Sequence, residues 1–427
     1  MNLSQEAGEL SSELLYINFN QDVTSISVGV RTGYKLYPLT STEHIEPSFE
    51  KDGGHEVCII ERLFSSSLVA MVELSNPRKL RVCHFKKNSE ICTYSYPDTI
   101  LSVKLSRQRL VVVLRQNLYI HNIRDMKVMH TIRDTPKNAS GLCALSADNE
   151  NGFIAYPGSS QNGEIQVFDA VNLKAVAVIP AHDSPLAALT FNSTGTKLAS
   201  ASATGTVIRV FSIPQGERLF EFRRGMKRFI HINCLAFSPD DVYLASSSST
   251  ETVHVFRLVE PPQEKTAEGQ QGWFSYLSKT LSPAAILPSQ MTDAFTQIRA
   301  FAHLKLPRSG LKSVCSVVSI EGVHRVLVAT SDGSLHMGDI DPREGGDCKY
   351  HREFRLVGGE DVPTAGLAST SVPSTEQQTY ASVISKPESG HSPSVSHDSH
   401  LASPDPQRQS YTEDDDEQPP SAQTIHS

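Results

Sequence analysis

The sequence predicts an all-β chain folded as a seven-bladed propeller of the WD40 type, with a long insertion in blade six and a disordered C-terminal tail. Three observations predict it: a strand-turn-strand unit that repeats, Val-Phe pairs at 167, 210 and 255 that mark copies 43 and 45 residues apart, and a chain of 427 residues that seven such units largely fill. The clearest copies are residues 189–202 and 235–248, each running on into a β-branched strand at 207–211 and 252–256.

In chain order, weaker copies run from Tyr16 to Tyr37, Val57 to Phe85 and Ile100 to Ile123; another ends at Val167-Phe168, and a last one runs from Val314 to Met337. Blade five reads strand by strand as 185–191, 197–202, 207–213 and 218–224, with turn residues at 192–196, 203–206 and 214–217. Blade six breaks the rhythm. Its third strand ends near Leu258 and the next good strand is 299–306, so residues 259–298 are an insertion. Residues 1–12 read as a flexible N-terminus, 13–360 as the propeller, and 361–427 as a disordered, acidic, Ser/Thr/Pro-rich tail with too little apolar surface to offset its chain entropy.

Composition narrows the function. Seven scattered cysteines with no Cys-x-x-Cys and no paired histidine spacing argue for a reduced, cytoplasmic protein without metal or cofactor. No apolar run approaches the roughly 18 to 20 residues of a spanning helix, so membrane contact is expected to be peripheral. The tail carries the whole net charge of −8, and the folded part is neutral. That balance disfavours a nucleic-acid partner, which needs a long basic track. An enzyme is not expected either: there is no phosphate loop or paired carboxylate, and the consecutive residues His182, Asp183 and Ser184 cannot converge as a triad.

The densest positive cluster is Phe222-Arg223-Arg224-Gly225-Met226-Lys227-Arg228, at the exit of blade five. One reading is a solvated edge that blocks strand pairing. The other follows from strand geometry: adjacent side chains point to opposite faces, so Arg223 and Arg224 reach different neighbours and one dipeptide serves two pockets. The first would be lined by Ser200, Ser202, Gly205, Thr206, Arg209 and Arg223, the second by Arg224, Gly225, Ser248, Thr252 and His254. Forked guanidinium groups, hydroxyls, and glycines that allow close approach are the natural complement of a phosphate monoester. His182 stands open between a packing role and a place in the first pocket, because Ala181-His182 sits where WD repeats keep a structural Gly-His.

Phe222-Arg223-Arg224-Gly225 resembles the signature of the PROPPINs, propellers that bind phosphoinositides, and the likeness runs from about Phe19 to Gly346. Segments 61–70, 119–127 and 205–212 are similar to the animal WIPI branch, nearest its type 2 member. The resemblance implies a monomeric autophagy effector that binds phosphatidylinositol 3-phosphate and the 3,5-bisphosphate at both pockets. It also implies residence in the cytoplasm and, peripherally, on preautophagosomal, autophagosomal and endosomal membranes, with recruitment of the lipid-conjugation machinery through an adaptor. The chain departs from the family pattern at Ala203-Thr204, where relatives usually have Glu-Lys, and so lacks a lysine at the first pocket.

Two further surfaces complete the expectation. The insertion carries Trp273, Phe274, Tyr276 and Leu277, either a helix packed back on the propeller or an amphipathic foot entering lipid beside the second pocket. The earlier blades carry His84, Lys86-Lys87, Arg107, Arg109 and Arg124. Solvated strand ends explain that basic set as well as an acidic partner helix does, and the resemblance favours a recruitment surface centred on His84, Arg107 and Arg124. The rival from another class is a protein-only scaffold with no lipid affinity.

Overall fold

The computed structural model describes residues 1–3, 13–225, 230–258 and 299–358. The insertion 259–298, with Trp273, Phe274, Tyr276 and Leu277, and the tail 361–427 lie outside the described residues. Within them the chain forms seven sheets, each built on four antiparallel strands that follow one another along the ring, with one short parallel strand added to the sixth. The first is Leu14–Phe19, Ser25–Val30, Gly33–Pro38 and Phe49–Asp52, and the last begins at Ser313–Ile320 and ends at Lys349–Arg355. This is the seven-bladed propeller that the repeats predict.

Burial follows from position in the blade. The second strands are buried except at some ends, and Ser25–Val30 and Tyr243–Ser248 are buried along their whole length, because a blade is covered on both faces by its neighbours. Outer strands such as Ser89–Ser95 are mostly exposed or half-buried. Small residues fill the crowded positions: Leu198-Ala199-Ser200-Ala201-Ser202 in blade five and Leu244-Ala245-Ser246-Ser247-Ser248 in blade six.

Among the described residues, no strand is exchanged between the first and last blades to close the ring. An apolar cluster joins Ile17, Ile26 and Tyr37 of blade one to Leu327, Leu335 and Phe354 of blade seven, and the Tyr37 hydroxyl donates to the Leu356 carbonyl at 2.6 Å. The first strands line a central channel of about 810 Å³ that includes Glu61, Lys104, Lys312 and Cys234.

Blade five forms at Leu186–Phe191, Lys197–Ser202, Val207–Ser212 and Arg218–Arg223, within a residue of expectation at each end. The outer strand of blade six is shorter than expected, Ala302–Lys305, and is flanked by a parallel two-residue strand, Gly346–Asp347, that the sequence did not signal. The insertion leaves blade six after Leu258 and returns before Arg299. These stems lie at the opposite end of the third and fourth strands from the Thr252–Lys305 pairing, roughly 17 to 20 Å away along a six-residue strand. The stems of the insertion therefore lie at the far rim of the blade edge from the second pocket, and the expected foot itself falls outside the described residues.

Candidate phosphate-binding pockets

The outer strand of blade five decides the site. Phe220 and Phe222 are buried toward blade six, where the Phe222 ring stacks on Phe256 at 4.7 Å. Alternation puts Arg224 on the same side, and its Nη2 donates to the Ser248 hydroxyl at 2.6 Å and to the Thr250 hydroxyl. Glu221 and Arg223 share the other side, toward blade four; Arg209, which pairs with Glu221, reaches the Ala181 carbonyl of that blade. The two arginines splay. The Nε atoms of both are buried without a hydrogen-bond partner among the described residues, leaving each guanidinium with donor capacity for an acceptor.

Cross-strand register then builds two equivalent pockets. In blade five, Ser200 pairs with Arg209 and Arg209 with Glu221; in blade six, Ser246 pairs with His254 and His254 with His303. Arg223 pairs with Val207 as Lys305 pairs with Thr252. The turn above each pocket carries the same Ser-x-Thr lip: Ser202 and Thr204 hydroxyls lie 2.7 Å apart, and those of Ser248 and Thr250 lie 3.0 Å apart.

In the first pocket, His182 Nε2 meets the Ser200 hydroxyl at 2.9 Å, and Thr204 bridges Ser202 to Ser184 of the blade-four exit. His182 thus packs against Ser200, a residue of the candidate first pocket. Burial, and then the Arg209 charge, lower its pKa to about 4, so the ring is neutral at physiological pH. Ser200 has no exposed surface, and its hydroxyl is taken by His182, so it supports the wall rather than the open face. Arg209 is held by Glu221 at 2.8 Å. In the second pocket, burial first and then Arg224 and His303 lower His254 to about 4. Burial also lowers Arg224, partly offset by Glu251, but a guanidinium stays charged.

The two glycines stand in different surroundings. Gly205 has φ +65°, and a Cβ there would lie 1.7 Å from the Ile230 carbonyl oxygen, so the chain itself requires glycine at this position. A Cβ at Gly225 would meet no described atom. The Thr206 carbonyl accepts from the Arg224 amide at 3.0 Å, and Thr206 and Thr252 are half-buried beside the lips.

The sequence reading missed Ser184, Thr204, Glu221, Thr250, His303 and Lys305. The repeat carried a signal for Thr250, which stands two residues after Ser248 as Thr204 stands after Ser202. Nothing local marked Glu221.

Of the basic set, Arg107 and Arg124 are exposed in turns of blade three, and the Arg107 guanidinium sits 3.6 Å above the Phe64 ring. His84 is half-buried at a strand end in blade two and accepts from the Lys87 amide. Arg109 leaves the set: it is buried and donates to the carbonyls of Gln108, Ala170 and Val171, an inter-blade clamp with no face for a partner.

The PROPPIN family model matches residues 13–357. The chain is 56% identical over 373 residues to the WD repeat domain phosphoinositide-interacting protein 2 of Mus musculus, covering 87% of this chain and 84% of that one. It is 41% identical over 386 residues to autophagy-related protein 18 of Caenorhabditis elegans, covering 87% and 93%. Among solved structures, KlAtg21 in complex with the coiled coil of AgAtg16 matches with a TM-score of 0.62 at 25% identity, over 81% of this chain and all of that one.

Proposed function

The chain belongs to the PROPPIN family, nearest the type 2 WIPI proteins, and from that premise we propose that it reads phosphatidylinositol 3-phosphate and 3,5-bisphosphate through two pockets that flank Arg223-Arg224. The family is non-enzymatic, phosphoinositide-binding and tied to autophagy. The observation that carries the two-pocket reading is that Arg224 reaches the Ser248 and Thr250 hydroxyls of blade six while strand alternation turns Arg223 to the blade-four side. Each pocket would supply a fork of N–H donors, a Ser-x-Thr lip and a neutral histidine to a phosphate monoester, groups that match its charge of about −1.5 to −2 and its acceptor oxygens. Arg223 and the lip of blade five would hold the first head group. Arg224, His254 and the lip of blade six would hold the second.

Each exposed pocket alone gives modest affinity. Two on one edge, with the side chains of Trp273, Phe274, Tyr276 and Leu277 as a third contact, raise avidity by orders of magnitude. On this reading the protein is a cytoplasmic monomer recruited peripherally to preautophagosomal, autophagosomal and endosomal membranes, without nucleic acid, metal or cofactor. Its basic set, His84, Arg107 and Arg124, would receive an acidic adaptor helix of the conjugation machinery; the Atg16 coiled coil bound by KlAtg21 supports a helical partner.

Flotation on vesicles containing phosphatidylinositol 3-phosphate tests the core of this. Arg223→Thr with Arg224→Thr is expected to abolish flotation, and Trp273→Ala with Phe274→Ala to reduce it without changing lipid choice. Wild-type flotation by the double arginine variant would refute the lipid-reading proposal and leave a protein-only scaffold.

A further inference from the structure

An acidic side chain sits inside the first pocket. Glu221 Oε2 accepts from Arg209 Nε at 2.8 Å and from Arg218 Nη1 at 2.8 Å. Its side chain is 19% exposed, and it shares a face of the outer strand with Arg223, two residues on. In the sister pocket the register places His303 where Glu221 stands and His254 where Arg209 stands, so no carboxylate occupies that position. The two pockets share a frame but differ at its centre. One holds an Arg-Glu pair, the other a pair of histidines beside Arg224.

We propose that Glu221 is a specificity-determining residue, an internal anion that pairs with Arg209 and sets a charge threshold for whatever competes for that guanidinium. This rests on the reading of the pockets as phosphoinositide sites. A carboxylate carries one negative charge, as does a phosphodiester, and neither has an electrostatic advantage over the other for the same guanidinium. A phosphate monoester carries nearly two charges and more acceptor oxygens, and displaces the carboxylate. Arg218, whose side chain is 57% exposed, gives Glu221 a place to remain after Arg209 turns to the ligand. The first pocket is thereby closed to the diester every phosphoinositide carries and open to the added monoester. The histidine pair of the second pocket imposes no such competition.

The test is calorimetric titration of the full chain in an Arg224→Thr background, which leaves the first pocket alone. The ligands are two soluble deacylated head groups, glycerophosphoinositol 3-phosphate and glycerophosphoinositol without the monoester. Glu221→Gln is expected to tighten the 3-phosphate roughly tenfold, the scale of one unit charge removed at close range, and to bring the unsubstituted head group into measurable binding. Arg218→Ala, an exposed change that spares the fold, moves the other way and weakens the 3-phosphate by returning Glu221 wholly to Arg209. If Glu221→Gln lowers the melting temperature, Arg218→Ala decides by itself: weaker binding supports the role, unchanged binding overturns it. Unchanged discrimination in a stable Glu221→Gln protein, or no first-pocket binding in either background, also overturns it. Failure of the unmodified protein to bind the 3-phosphate at all sinks the pocket reading beneath it, whereas wild-type binding that Glu221→Gln leaves unaltered sinks only the threshold.

Discussion

At Gly205 the backbone turns through φ +65°, and the nearest atom to a Cβ built there is the Ile230 carbonyl oxygen at 1.7 Å. Both the left-handed backbone and the contact oppose any side chain. Gly205→Ala is therefore expected to cost more than about 1 kcal/mol of stability in chemical denaturation, while Gly225→Ala, with no described atom in its way, stays within about 0.5 kcal/mol. Loss of binding in Gly225→Ala at full stability would mark that position as a ligand contact. His182 makes a second prediction at this scale. Its folded pKa of about 4 lies below the ordinary value of 6.5, so between those values the unfolded chain takes up a proton that the native chain refuses. Stability contributed by this residue is thus complete above pH 6.5, falls as pH is lowered through the window, and levels off below about 4. Equilibrium unfolding from pH 7 to 4 is expected to show wild type losing up to about 3 kcal/mol more than His182→Gln, which has no titrating ring. Parallel curves would show that the ring does not resist protonation.

One element, the outer strand Arg218–Arg223, explains why the pockets come as a pair. Phe220 and Phe222 anchor it against blade six, which fixes the rotation of the strand and leaves Glu221 and Arg223 no choice but the blade-four side. The insertion makes the contrasting case. It interrupts blade six between Thr252–Arg257 and Ala302–Lys305, yet those strands pair in register, Thr252 with Lys305 through Val255 with Ala302, so the stems are held by the sheet. Replacing residues 259–298 by a short Gly-Ser linker is expected to leave the melting temperature and calorimetric binding of a soluble head group unchanged, and to weaken vesicle flotation. A drop in head-group affinity would show instead that the segment helps to build the second pocket.

Across the whole molecule, alternate turns of a blade open on opposite rims. The Ser-x-Thr lips of blades five and six lie between second and third strands, whereas Arg107 and Arg124 lie between first and second and after the third, on the other rim and in blade three. On the proposed reading, a head group at the lips and an acidic helix at Arg107 and Arg124 occupy different rims and different blades. Arg107→Glu is accordingly expected to abolish capture of an acidic adaptor helix in a pull-down while vesicle flotation stays at the wild-type level. Loss of both would place the two surfaces in one site. The same change frees the Phe64 ring from its guanidinium cover, an exposed contact with a cost on the order of 0.5 to 1 kcal/mol, too small to unfold the ring.

Blade count, the strands of blade five and the divergence of Arg223 from Arg224 were all legible in the chain, because each depends on neighbours in sequence: a repeat length, turn residues, and the period of two along a strand. The grip of His182 on Ser200, the carbonyl clamp on Arg109, the Thr250 contact to Arg224 and the hold of Glu221 on Arg209 were not. Those partners are 18, 61, 26 and 12 residues apart and meet only across strands or blades. Periodicity states which face a side chain takes. Which group waits on the facing blade is decided only when the ring closes and sets the register between sheets.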